Sequence, residues 1–143
     1  MSHGGDTGKP AEESDAVAGF TAYRKRMNER ILAEPNQVVR RFFALDTQTY
    51  QAGALDLKTK ELLGLVASMV LRCDDCISYH VAQCKDAGVN REEMFEAFSV
   101  GLVVGGSIVI PHMRRAVAFL DELEGQSSSG ASPGAAIQPH QHG

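Results

Sequence analysis

The chain has 143 residues, 43% hydrophobic and 22% charged, which suits one domain with one core and excludes a wholly disordered chain. Its formal net charge is −4, from 14 basic and 18 acidic side chains, so it has no basic surplus for a nucleic-acid backbone. With no Trp and 6% aromatics it also lacks a stacking platform for bases.

Taken in order, residues 1–13 are rich in Gly, Ser, Asp and Glu and read as a disordered tail. They hold no apolar run of the kind a secretory leader needs, which predicts a cytoplasmic protein. The folded domain is expected over residues 14–124. Ala16–Leu32 carries Phe20, Tyr23, Met27 and Ile31 at helical spacing, with Arg24, Lys25, Arg26 and Arg30 expected on its solvated face. Pro35-Asn36 breaks that pattern. A short helix is expected over Val38–Leu45 and a weaker one near Thr47–Ala52. Leu57–Leu71 is apolar over a wide arc, which predicts a helix buried on several sides.

Cys73–Ala87 reads as a further helix, with Gly88 where a left-handed C-terminal cap is common. Asn90 followed three residues on by Glu93 is a helix start of the capping-box kind. The helix that follows, with Met94, Phe95, Phe98, Val100 and Leu102, is weakened or kinked at Gly105-Gly106. Ser107–Leu123 completes the set. Because Pro111 is best tolerated in a first turn, that helix is expected to start nearer Val109. The longest uncharged apolar stretch, Phe98–Pro111, falls short of the roughly 20 residues a bilayer needs. Residues 125–143 are rich in Gly, Ser, Pro and Ala and read as a second tail, in which His140 and His142 could at most bind a metal weakly. No segment shows strand alternation. The fold class is all-α: a single-domain helical bundle.

Chemistry concentrates between Glu61 and His80. Of the three cysteines, Cys73 and Cys76 form a C-x-x-C, which in a reducing compartment points to redox chemistry or metal. On one helix Cys73, Cys76, His80 and Cys84 fall within a narrow stripe, at about 100° per residue. On a single continuous helix Glu61 would lie about 18 Å from Cys73. A chain reversal near Val70–Leu71 would instead make an antiparallel hairpin and set Glu61 against His80. A carboxylate there would hold the imidazole tautomer and raise its basicity. The series Glu61, His80, Cys76, Cys73 is then a base-and-orienter arrangement for making a thiolate. A helix N-terminus and Arg72 favour that thiolate, whereas Asp74 and Asp75 oppose it. Rival readings are a zinc site using Cys73, Cys76 and His80, with no suitable fourth ligand, and a non-catalytic redox sensor. Cys84 reads as a buried small hydrophobe. His112, after Pro111, is a further residue that could line the same pocket.

Glu61, eleven residues, Cys73-x-x-Cys76, three residues and His80 resemble the signature of the alkylhydroperoxidase D-like branch of the carboxymuconolactone decarboxylase family. The likeness extends over residues 40–124. It implies an all-helical fold whose subunits assemble as a homo-trimer or hexamer. It also implies the thiol branch of the family, because the lactone decarboxylases lack the cysteine pair. By that resemblance Cys76 attacks a hydroperoxide, Cys73 resolves it, and Glu61 and His80 relay the proton. Decarboxylation of a small lactone acid is the alternative enzyme activity. No flavin or nicotinamide motif is present, so no cofactor is expected and an external dithiol must supply the electrons.

Overall fold

The computed structural model describes residues 16–128, so the expected tail over residues 1–13 and the pair His140 and His142 lie outside the described residues. Six α-helices and one 3-10 turn follow one another, with no strand among the described residues. They are α1 (Ala16–Leu32), α2 (Gln37–Tyr50), α3 (Leu57–Val70), α4 (Asp74–Asp86), α5 (Arg91–Gly105), a 3-10 turn at Ser107–Val109, and α6 (Ile110–Ser128). The all-α expectation holds.

Each start has a local cause. Asn36 begins α2, its side-chain oxygen accepting from the N–H groups of Val38 and Val39 at 3.0 and 3.1 Å. Asp56 begins α3 by accepting from Thr59 N–H at 2.8 Å. At α5 the capping box is complete: Glu93 N–H donates to Asn90 Oδ1, and Asn90 N–H donates to Glu93 Oε2, both at 2.9 Å.

The core is shared by α3 to α6. Leu65 and Met69 meet Ile77, Val81 and Cys84 of α4, Met94 and Phe98 of α5, and Ala116 and Leu120 of α6. α1 lies against α6 through an edge-on contact of Phe20 with Phe119, ring centroids 5.6 Å apart. None of the six helices is long and apolar enough to cross a membrane.

The joint between α3 and α4 takes only Leu71, Arg72 and Cys73. Cys73 N–H donates to Ser68 O and Arg72 N–H to Met69 O, the two bonds of a Schellman turn. Its left-handed position is held by Arg72, at φ 59°. The same pair of bonds closes α4, from Val89 N–H to Cys84 O and from Gly88 N–H to Lys85 O, with Gly88 at φ 86°.

Several expectations are corrected. The two short helices expected over 38–52 are one helix, α2; the hydroxyls of Thr47 and Thr49 donate to Phe43 O and Leu45 O and continue it through the polar stretch. The inner face of α1 is set by Val17 and Asn28, while Tyr23 and Ile31 of the expected stripe are exposed. Arg24 is not on the solvated face: its guanidinium lies 4.0 Å over the Tyr79 ring, and burial lowers its pKa. The broad arc of α3 is only partly buried, since Leu57 and Leu63 are exposed. α6 runs through Gly125 to Ser128, past the expected boundary at 124, with Ser127 and Ser128 donating to Leu123 O and Glu124 O.

An L residue in the left-handed region costs about 1–2 kcal/mol, and more when β-branched. Arg72 already carries that cost, so Arg72→Gly is expected to unfold at higher urea than wild type and Arg72→Ile at lower urea than either.

Candidate active site

The short joint folds α4 back along α3. Glu61 lies before it on α3 and His80 after it on α4, and they meet: His80 Nδ1 is 2.8 Å from Glu61 Oε2. Glu61 is fully buried and His80 is 3% exposed. A carboxylate oxygen can only accept from the ring, so Nδ1 carries the hydrogen and Nε2 of the neutral ring carries the lone pair. The buried carboxylate thereby gains the partner that burial demands.

Cys73 is the N-cap of α4 and Cys76 lies in its first turn. The two form a disulfide with Cα atoms 5.3 Å apart, and Cys76 N–H donates to Cys73 Sγ at 3.3 Å. Both sulfurs therefore lie where the helix N-terminus favours a thiolate once the bond is reduced. His80 follows Cys76 by four residues on α4 and so shares its face. Both cysteines are partly exposed, which leaves them open to a reagent or a partner thiol.

Asp74 opposes the thiolate by its charge, but α6 takes that charge up. His112 Nδ1 is 2.7 Å from Asp74 Oδ1, and Arg115 Nη1 donates to Oδ2 at 3.2 Å. His112 thus stands beside the cysteine pair as an anchor on the first residue of α4. Cys84, expected as a hydrophobe, is fully buried, and burial, with the Glu61 charge behind it, pushes its thiol up to about 12. A groove of about 770 Å3 between α1, α4 and α6, lined by Phe20, Ser78, Arg115 and Phe119 among others, contains none of the four motif residues. Among the described residues no three His, Cys, Asp or Glu side chains gather as a metal site.

Two participants were missed in the sequence. Tyr50, the last residue of α2, brings its hydroxyl to 3.4 Å from His80 Nε2. Gly64 makes the room: a Cβ there would stand 2.5 Å from His80 Cε1 and 2.8 Å from the Tyr50 hydroxyl. A glycine inside an apolar helix, one turn from Glu61, was the available signal. Nothing comparable marked Tyr50, which fell in a stretch read as weakly helical.

The sequence profile of the carboxymuconolactone decarboxylase family matches residues 36–121. Among curated relatives, "Uncharacterized protein 4 in cox locus" from Paracoccus denitrificans is 33% identical over 84 residues, 59% of this chain and 76% of that protein. Among solved structures, a carboxymuconolactone decarboxylase family protein of Thermotoga maritima, with a suggested involvement in antioxidative response, is 53% identical. The match covers 80% of this chain and 97% of that one, with a TM-score of 0.76. A second protein described as of that family, from Legionella pneumophila, is 26% identical over 80% of this chain and 99% of its own, with a TM-score of 0.67.

Two consequences are measurable. In an ordinary helix Gly→Ala gains about 1 kcal/mol, but at residue 64 the overlap with His80 and Tyr50 outweighs it. Gly64→Ala is therefore expected to lower unfolding stability by about 1–3 kcal/mol. The second concerns alkaline pH. Burial first, then the Glu61 charge, pushes the Tyr50 phenol up to about 12, as burial does for Cys84. Folding thus favours the protonated form of both groups. Their contribution is complete below the unfolded values of about 8.5 and 10 and is lost as pH rises through the folded ones. The melting temperature should fall between about pH 9 and 12, and less steeply in Cys84→Ala; parallel curves for the two proteins would contradict this.

Proposed function

The chain belongs to the carboxymuconolactone decarboxylase family, and from that premise we propose that it is a thiol oxidoreductase that reduces hydroperoxides through Cys76 and Cys73. The observation that carries this reading is the cysteine pair at the head of α4, joined as a disulfide, with His80 on the same helix face and held by the buried Glu61. The antioxidative role suggested for the Thermotoga maritima protein supports it.

The chemistry closes on the chain's own groups. In the reduced pair the Cys76 thiol gives its proton to His80, whose Nδ1 hydrogen is anchored on Glu61. The thiolate attacks the terminal oxygen of a hydroperoxide, the O–O bond breaks, and the departing alkoxide takes a proton to leave as the alcohol. Cys76 is then a sulfenic acid. The Cys73 thiol displaces water from it and forms the disulfide, which guards Cys76 against further oxidation. One hydroperoxide and two thiols thus give one alcohol, one water and one disulfide. An external dithiol restores the pair by exchange; a reducing compartment such as the cytoplasm suits that step.

Apolar side chains left in the open support assembly into a trimer or hexamer. Val38, Phe42 and Leu45 form one stripe on α2, and Val100, Val103 and Val104 another on α5. Sedimentation is expected to give three or six times the chain mass; a monomer would remove this part of the reading.

The activity test uses reduced, metal-free protein and an organic hydroperoxide. Wild type should lose two thiols rapidly, with a mass decrease of about 2 Da. A sulfenic acid should be trapped in Cys73→Ser and not in Cys76→Ser. Oxidation no faster than that of a free thiol would overturn the peroxidase reading and leave disulfide exchange as the activity to assay.

A further inference from the structure

Glu61 occupies one nitrogen of His80. The other faces Tyr50, a residue outside the Glu-Cys-Cys-His motif, whose hydroxyl is 3.4 Å from Nε2 and whose ring centroid is 5.5 Å from the imidazole. The contact is built from both sides. Lys60, the neighbour of Glu61 on α3, donates from Nζ to Thr49 O at 2.7 Å and to Gln51 O at 2.6 Å, gripping the backbone on either side of Tyr50. Gly64, one turn further along α3, leaves the space in which the hydroxyl and Nε2 meet. Three successive features of α3 therefore serve one end: Lys60 holds Tyr50, Glu61 holds His80, and Gly64 lets the two approach.

We propose that Tyr50 is a positioning residue for the thiol chemistry: its hydroxyl donates to Nε2, so that the His80 ring is fixed at both nitrogens. This rests on the reading of Cys73 and Cys76 as the working pair. The phenol is suited to donate, since burial first and then the Glu61 and Asp46 charges push it up to about 12 and keep its proton in place. A donor on the lone pair stabilises the neutral ring. Tyr50 therefore sets how readily His80 takes the proton of Cys76, and the bond must yield when that proton arrives. Of the other titratable or charged groups, Glu61 from α3 pairs with the ring, Tyr79 of α4 packs edge-on to it with Arg24 of α1 lying over Tyr79, and Asp46 from α2 and Cys84 from α4 act on Tyr50.

Tyr50→Phe removes the hydroxyl and keeps the ring. Nitrogen-15 spectra of the histidine rings in the oxidised protein at neutral pH read the bond directly. In wild type, His80 Nε2 should resonate as an unprotonated, hydrogen-bonded nitrogen. In Tyr50→Phe it should move toward the position of an unbonded one. Lys60→Met, which frees the end of α2, should move the resonance the same way by less. A protonated Nε2 in wild type, or a resonance unmoved in Tyr50→Phe, would overturn the proposal. Peroxide consumption by the same samples separates the two readings. Wild type that consumes peroxide with Nε2 unmoved in Tyr50→Phe defeats the role of Tyr50 alone. Wild type inert to peroxide defeats the peroxidase reading, whatever the ring nitrogen shows.

Discussion

A carboxylate cannot be taken out of water without a partner, and in this chain that demand falls on Glu61, the fully buried acid of α3. His80 meets it at 2.8 Å. Because the two residues stand on different helices, their pairing also fixes how α3 and α4 lie against each other. Sliding one helix by a turn would strand the carboxylate in an apolar core among Leu65, Val81 and Cys84. The hydrophobic contacts supply cohesion, but many registers of two apolar helices could supply as much. The buried pair selects one of them.

From that register the cysteines acquire their setting. Cys73 ends one turn motif and opens the next helix, so both sulfurs stand at the head of α4. The two acidic residues between them would work against a thiolate there. The structure answers this with α6, where His112 and Arg115 close on Asp74, leaving Asp75 facing water. The first residue of α4 is thereby tied into the fold as well as partly neutralised.

The hairpin and both of its chemical ends were legible because they rest on local rules: spacing about a reversal, a glycine at a left-handed cap, and Asn90 with Glu93 at a helix start. Contacts made across helices were not. Arg24 looked like one of four solvated cations on α1, and only the position of Tyr79 on another helix makes it a stacking partner. Tyr50 likewise owes its place to Lys60 and Gly64, and no periodicity in its own segment carries that information. The break expected after Leu45 came from a run of polar residues, but threonines can return their hydroxyl bonds to the helix they interrupt, and here they do. The end of α6 shows the same limit, since serines that read as a flexible tail continue a helix already paired through Glu124 to Lys85 and Arg91.

The joint at Leu71–Cys73 has little slack, since all three of its N–H groups are committed to ending α3 and the Cys73 carbonyl accepts from Ile77 N–H in α4. The eleven residues between Glu61 and Cys73 therefore act as a fixed gauge. One residue added or lost within them would turn the following helix by about 100° and shift it by about 1.5 Å, carrying His80 off the carboxylate and the cysteines off their face together. The connection at 33–36 is exposed and carries no such alignment, so length variation is admissible there. In this fold the line that joins the acid to the thiols has a length the site itself sets.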